Sequence, residues 1–86
     1  MFGSIVLSLA GRDKGNYFIV TEIKDNFAYI VDGKIHKVEN PKLKKLKHMA
    51  EQDFKFEDLI NKIKNKSKIT NQDVKRALKK LGGTNV

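Results

Sequence analysis

Hydrophobic and polar residues alternate through much of the first 38 positions of the chain, as they do in β-strands. Ile5, Leu7 and Leu9 share one face, because successive side chains of a strand point to opposite sides. Three further runs, rich in β-branched and aromatic residues, are NYFIVTEI, FAYIV and KIHKV. The pattern predicts four short strands joined in sequence as a meander.

Turn-forming residues separate these runs. AGRDKG, KDN and DGK lie between them, and each contains Gly, Asn or Asp, which tolerate positive φ. Asp32-Gly33 predicts a two-residue hairpin turn between FAYIV and KIHKV. Pro41 follows and ends the sheet, because proline has no N–H to donate to a strand ladder.

The run NYFIV is apolar on both faces, and a single open sheet would leave one of those faces in water. We therefore expect a small sheet curled into a barrel, with one face inside and the other packed against the C-terminal part of the chain. The candidate core residues are Ile5, Leu7, Ile19, Ile23, Ile30 and Val38.

The segment KLKKLKHM, residues 42–49, places an apolar residue at every third position among lysines. This spacing fits one turn of α- or 3₁₀-helix and also a last strand that closes the barrel, so both structures remain open. In either case the apolar side chains should dock while the lysine ammonium groups stay in water.

Helical periodicity begins near residue 56 and predicts two short helices. The apolar stripe of the first is Phe56, Leu59, Ile60 and Ile63, and that of the second is Val74, Ala77, Leu78 and Leu81. The NKSK sequence between them breaks the pattern.

The ends of the second helix are marked by capping residues. Thr70 and Asp73 have the spacing of a capping box, and Ile69 and Val74 occupy the positions of a hydrophobic staple. Gly82 is the expected residue after the helix, where positive φ is common.

The excess of positive over negative charge lies entirely in the second half of the chain. The 18 basic and 10 acidic side chains give a net charge of +8, and five of each fall in residues 1–41, which leaves 13 and five for residues 42–86. Such asymmetry favours a polyanionic partner, most often nucleic acid, over a role in solubility alone.

Signals for catalysis and for membrane insertion are weak. The chain has no cysteine, and His36 and His48 lie among lysines without a nucleophile or metal-ligand spacing. The GRDKG sequence lacks the length and the Gly-Lys-Ser/Thr ending of a P-loop. MFGSIVLSLAG has no basic residue before its short apolar run. We expect a soluble, cytoplasmic non-enzyme without cofactor, metal, small-molecule substrate or membrane contact.

Cations that could contact phosphate groups fall into three groups. They are Arg12 and Lys14 in the GRDKG turn; Lys42, Lys44, Lys45, Lys47 and His48; and Lys75, Arg76, Lys79 and Lys80 in the second helix. Each group could also be ordinary solvated surface, most readily in the lysine-rich helix. Among the aromatic residues of the strands, Tyr29 is the candidate for stacking on an unpaired base.

The stretch LSLAGRDKGNYFIVTEI, residues 7–23, resembles the KOW motif, in which a Gly-Arg/Lys-Asp-Lys-Gly turn joins two strands. Continued to KKLKHM, it is similar to the KOW proteins of the archaeal and eukaryotic large ribosomal subunit, and to KOW RNA-binding proteins of Gram-positive bacteria. The ending KITNQDVKRALKKLG is similar to the tails of that bacterial group.

The resemblance implies an α+β chain that is mainly β: an SH3-like β-barrel of KOW type in residues 1–50, then a basic extension of two short helices in residues 51–86. It also implies RNA binding, often to ribosomal RNA of the large subunit. Arg12 and Lys14 would contact the RNA backbone, and Gly15 would permit the geometry of the turn. Ribosomal proteins are further candidate partners. The tail departs from the ribosomal relatives, so a ribosome-associated factor fits as well as a ribosomal protein.

Two other functions remain open at this point. A protein-binding adaptor of the transcription or translation machinery would dock its apolar helical stripes on a partner, with the lysines serving solubility. A basic amphipathic helix on an anionic membrane is weaker, because residues 74–81 have no bulky aromatic anchor.

Overall fold

Five antiparallel strands and two short helices make up this α+β fold, which a computed structural model describes for residues 3–55, 57–65 and 68–81. The strands are β1 (Ser4–Ser8), β2 (Tyr17–Lys24), β3 (Phe27–Val31), β4 (Lys42–Lys45) and β5 (Met49–Lys55). The helices are α1 (Glu57–Lys64) and α2 (Asn71–Lys79), and a 3₁₀ turn at Leu46–His48 joins β4 to β5.

The sheet has the strand order β4-β3-β2-β1-β5 and is curled but not closed. In a flat sheet, four strand spacings of about 4.8 Å would place β4 and β5 about 19 Å apart. The three residues of the 3₁₀ turn span far less, at about 2 Å each, so the two edges must approach one another. A break in register between Val20 and Glu22 of β2 bends the sheet at its centre.

The predicted strand KIHKV and its hairpin turn at Asp32-Gly33 are wrong, because residues 32–40 form a loop. The Asp32 carboxylate accepts hydrogen bonds at 2.9 Å from the backbone N–H groups of Lys34 and His36. The His36 carbonyl in turn accepts from the N–H of Asp32, also at 2.9 Å. This local network takes the donors that a strand ladder would need. The partner of β3 is therefore β4.

Residues 42–49 contain a strand and then a 3₁₀ turn, but the strand is not the last one and does not close a barrel. The expectation that Pro41 ends the sheet is wrong, because β4 and β5 both follow it. Lys42–Lys45 is a strand, and Leu46–His48 is a 3₁₀ turn. Leu46 packs against the apolar cluster on the inner face of the curled sheet, as its spacing predicted.

Apolar residues are buried on both faces of the sheet. The inner-face cluster consists of Val6, Phe18, Val20, Ala28, Ile30 and Met49. The outer-face cluster consists of Ile5, Ile19 and Val31 from the strands with Leu59, Val74, Ala77 and Leu78 from the helices. The expectation that the C-terminal part of the chain covers one face of the sheet is confirmed. The predicted domain boundary at residue 50 falls inside β5.

Four of the six candidate core residues belong to these clusters or pack against them, and Leu7 and Ile23 do not. Ile5, Ile19 and Ile30 are fully buried, and Val38 packs at the margin of the outer-face cluster. Leu7 is half-buried. Ile23 is wrong, with 41% of its surface exposed, because it lies beyond the register break, where neither cluster covers it.

The second helix begins where its capping residues predicted. Thr70 Oγ1 accepts from the Asp73 N–H at 3.1 Å, and Asp73 Oδ2 accepts from the Thr70 N–H at the same distance. Lys62 Nζ of α1 donates to Asp73 Oδ2 at 3.1 Å, which links the two helices. Phe56 and Gly82 lie outside the described residues.

The loop of residues 32–40 rests directly on the start of α2. The Asn71 side chain accepts from the Val38 N–H and donates to Glu39, both at 2.8 Å. Gly33 has a φ of 78°, and a Cβ atom there would lie 2.6 Å from the Asn71 carbonyl oxygen and 3.0 Å from Lys75 Cγ. A side chain at residue 33 would therefore push the loop away from α2.

Replacing Gly33 with Ala should cost about 3 kcal/mol in free energy of unfolding, combining left-handed strain with overpacking against backbone. Gly15→Ala is the matched control, because Gly15 has a φ of 89° but a Cβ atom added there would have no neighbour within 4 Å. It should lose about 1–2 kcal/mol from strain alone. Urea denaturation measures both losses. Equal losses would contradict the close approach of Gly33 to α2.

Candidate nucleic-acid interface

The GRDKG turn is a compact loop between β1 and β2. The Ser8 N–H donates to the Asn16 carbonyl and the Gly15 N–H to the Ser8 carbonyl, both at 2.9 Å. Gly11 and Gly15 have φ values of 85° and 89°, which other residues adopt at a cost. Hence the two glycines let the loop reverse within a few residues, as the resemblance implied for Gly15.

Asp13, at the centre of the loop, points inward and is only 7% exposed. Its Oδ1 accepts from Ser8 Oγ at 2.7 Å and from Lys44 Nζ at 2.9 Å, and its Oδ2 accepts from Lys42 Nζ at 2.6 Å. Lys44 Nζ also donates to the Ala10 carbonyl at 2.9 Å. The loop is therefore anchored to β1 at one side and to β4 at the other.

The same contacts change the assignment of two predicted RNA-binding lysines. Lys44 is only 9% exposed, and its ammonium group donates to Ala10 and Asp13 of the loop. Lys42 is partly exposed, but its ammonium group is held by Asp13. Strand alternation turns both side chains to the inner face, so they serve the loop and Lys44 is not presented to a ligand.

Electrostatics keep Asp13 ionised. Burial would raise the pKa of its carboxyl, but hydrogen bonds from its three donors and the charge of Lys44 outweigh burial and hold the pKa well below its usual range. Sequence reasoning did not assign this role to Asp13. The available signal was the pair of lysines two positions apart on one predicted strand face, opposite a lone acid.

Arg12 and Lys14, which flank Asp13, are exposed. Within the part of the chain that the structure describes, neither takes part in an ion pair. The loop thus turns its acid inward and its two cations outward, and both guanidinium and ammonium groups are available to an anion.

The 3₁₀ turn brings further cations next to this loop. Its His48 carbonyl accepts from the N–H of Leu9, the first residue of the loop, at 2.8 Å. At its other end, the Leu46 N–H donates to the Asn26 carbonyl in the β2–β3 turn at 2.9 Å. Lys45 and Lys47 are exposed and His48 is half-buried. We refer to Arg12, Lys14, Lys45, Lys47 and His48 as the loop surface.

Tyr29 lies on β3, where it is half-buried. It pairs across the sheet with Glu22 on one side and with Leu43 on the other, and Leu43 is 49% exposed. Val31, two positions further along the same strand, belongs to the outer-face cluster with the helices, whereas Tyr29 does not. Its ring therefore lies on the part of the outer face beyond that cluster.

The cations of α2 form a separate group. Arg76, Lys79 and Lys80 are exposed and Lys75 is half-buried. The GRDKG loop is anchored to inner-face residues Ser8 and Lys44, whereas α2 packs on the outer face. Arg12 and Lys14 therefore lie on a loop tied to inner-face residues, whereas the α2 cations lie on the outer-face side. Lys45, which follows inward-facing Lys44 and pairs with Phe27, also points to the outer face.

Two other properties bear on function. Across residues 3–55, 57–65 and 68–81, no three His, Asp or Glu side chains are grouped so that they could hold a metal ion. In the same residues, neither helix has the length and apolar character needed to cross a membrane.

Comparison with known proteins gives no assignment. No protein-family model matches the chain, and no curated protein matches it. Inferences about function therefore depend on the geometry above and on the resemblance of residues 7–23 to the KOW motif.

Replacing Asp13 with Asn should lower the free energy of unfolding at pH 7 by about 3 kcal/mol, because it leaves the buried Lys44 ammonium without its counter-charge. The unfolded chain protonates Asp13 near pH 4, whereas the folded protein keeps it charged to lower pH. This stabilisation is complete above pH 4 and is lost as the pH falls.

Urea denaturation between pH 7 and pH 2 measures the difference between the wild type and Asp13→Asn. We expect that difference to shrink below pH 4 by up to about 1.4 kcal/mol per pH unit. Asp53→Asn, at an exposed position in β5, is the control and should change stability by less than about 0.5 kcal/mol. A difference independent of pH would exclude the ion pairs as its cause.

Proposed function

We propose that the protein is a cytoplasmic, non-enzymatic RNA-binding protein of KOW type that binds ribosomal RNA as a ribosomal or ribosome-associated protein. The observation that carries this proposal is the anchored GRDKG loop. Its acid is paired internally, and its two cations, Arg12 and Lys14, are exposed.

An anchored loop suits contact with a phosphate backbone. Binding costs less free energy when the contacting groups are already ordered, and Asp13 orders this loop from within. Because Lys42 and Lys44 neutralise Asp13, its carboxylate does not repel an approaching phosphate. Arg12 can donate two parallel hydrogen bonds to one phosphate, and Lys14 adds a compact charge.

The rest of the loop surface extends this cationic area. Lys45 at the end of β4 and Lys47 within the 3₁₀ turn are exposed, and the turn is hydrogen-bonded to Leu9 at the start of the loop. Tyr29 lies one strand away from Lys45 and offers an aromatic face to an unpaired base. Phosphate contacts would supply affinity, and stacking would favour single-stranded segments.

The strand arrangement supports an SH3-like scaffold of the kind that the resemblance implies. The sheet is bent at β2, its edge strands are brought together by a 3₁₀ turn, and its inner face has its own core. Fold alone does not determine function, so the proposal depends on the loop and its charges.

Part of the apolar helix surface on which the adaptor hypothesis was based is buried within the protein itself. Leu59 and Val74, Ala77 and Leu78 pack on the sheet of the same chain. A partner would have to displace that packing to use these four side chains, so folding accounts for them.

The double variant Arg12→Gln/Lys14→Gln tests the loop. Its affinity for a single-stranded RNA oligonucleotide should be several-fold lower, and the slope of log affinity against log salt should flatten by about 1.4, at ~0.7 per phosphate contact. Fluorescence anisotropy over a salt series measures both, and circular dichroism checks the fold.

Lys64→Gln/Lys68→Gln removes the same charge from exposed positions at the end of α1 and shortly before α2 and is the matched control. Equal slopes for the two double variants would remove the loop from the mechanism, and an absence of RNA binding in dilute salt would refute the proposed function. Sedimentation of cell extract at low and high salt tests the ribosomal partner, with salt-sensitive migration with the large subunit as the expected result.

Substitution of Tyr29 tests stacking. Tyr29→Leu should reduce affinity for single-stranded RNA by about 5- to 150-fold, which corresponds to ~1–3 kcal/mol per stacked base. Tyr29→Phe keeps the aromatic face and should bind as the wild type does. Anisotropy at one salt concentration suffices, and similar affinities for the Leu and Phe variants would show that the ring does not stack.

A further inference from the structure

A second concave cationic surface lies between α2 and the loop that follows β3. It is an open cleft of about 620 Å³ lined by Lys34, Gln72, Lys75, Arg76 and Lys79, and we call it the α2 cleft. Its volume is within the range of pockets that accept small ligands, but its lining contains four cations and no carboxylate.

The fold brings these side chains together by two local devices. On α2, residues 72, 75, 76 and 79 follow the i, i+3, i+4, i+7 spacing of one helix face. Lys34 is added from the loop, because Gly33 lies so close to the Asn71 carbonyl that the next residue is placed beside the helix. The cleft is thus formed jointly by α2 and the loop of residues 32–40, and not by the surface of the helix alone.

The charges of the α2 cleft lack acidic partners within the described residues. Among the residues that the structure describes, none of its four cations forms an ion pair. The acid in the first turn of α2, Asp73, is engaged by Thr70 and Lys62. Like charges at i and i+4, here Lys75 and Lys79, destabilise a helix, and an anion between them would relieve that repulsion.

We propose that the α2 cleft binds phosphate groups of a second RNA segment, so that the protein contacts RNA on both sides of its sheet. This inference rests on the proposed function. The GRDKG loop with Arg12 and Lys14 is tied to Ser8 and Lys44 of the inner face, and α2 packs on the outer face. A polyphosphate chain matches the cleft because each of its repeating units carries one negative charge.

The experiment is a titration of isotope-labelled protein with tetrauridylate at low salt, followed by backbone amide NMR shifts. The wild type should show two groups of shifted amides, one in residues 9–16 and the other in residues 33–34 and 71–79. Lys34→Gln/Lys75→Gln/Lys79→Gln should lose the second group and keep the first. Arg12→Gln/Lys14→Gln should lose the first and keep the second.

For a longer single-stranded RNA, the triple variant should flatten the salt dependence by about 2, at ~0.7 per phosphate contact. Lys64→Gln/Lys68→Gln is the control for lost charge and should keep both groups of shifts.

The outcomes separate this inference from the proposed function. Shifts confined to residues 9–16 would overturn the cleft and leave the proposed function standing. Shifts confined to the α2 cleft would support the cleft as a phosphate site and would exclude the GRDKG loop as an RNA contact. No shifts in either region would overturn both. The last titration uses inorganic phosphate at the same concentration of phosphate groups as in the tetrauridylate titration. If it shifts the cleft amides as much as the oligonucleotide does, the assignment to RNA is overturned.

Discussion

The arrangement of this small protein depends on one buried carboxylate. Asp13 binds Ser8 on β1 and Lys42 and Lys44 on β4, although two strands separate β1 from β4 in the sheet. These bonds link the GRDKG loop to both halves of the curled sheet. A chain of 86 residues buries a modest share of its surface, so contacts that join elements far apart in the sheet weigh heavily in its stability.

The same carboxylate decides which cations are left for a partner. Net charge alone counts every lysine equally, but Lys44 uses its charge inside the protein, whereas Arg12 and Lys14 on either side of Asp13 do not. The turn that presents cations and the network that fixes it are therefore one unit. Part of the positive charge of this protein is used to hold the loop that carries Arg12 and Lys14, which would lower the cost of binding in the function we propose.

Local patterns predicted the local structure, and tertiary contacts account for the differences. Alternation located β1 to β3, and Thr70 with Asp73 located the start of α2, because these signals depend on neighbours in sequence. KIHKV has strand composition but is held as a loop by the Asp32 carboxylate. The burial of Lys44 depends on Asp13, which lies 31 positions away in the sequence. Strand periodicity predicts which residues share the face of Lys44 but not which distant residue that face contacts.

The helices are part of the same folding unit as the strands, and this bears on how their charges can be studied. Leu59, Val74 and Leu78 complete the cluster begun by Ile5 and Ile19, and β5, which starts at residue 49, pairs with β1. Removing residues 51–86 would expose one core and strip a strand from the sheet, so loss of RNA binding after truncation would report unfolding. Substitutions of Lys by Gln on the solvent-exposed side of α2 remove charge but keep the length of the chain. They separate the role of the helix in folding from the role of its charges, because the buried stripe and the cationic stripe occupy different sides of one helix.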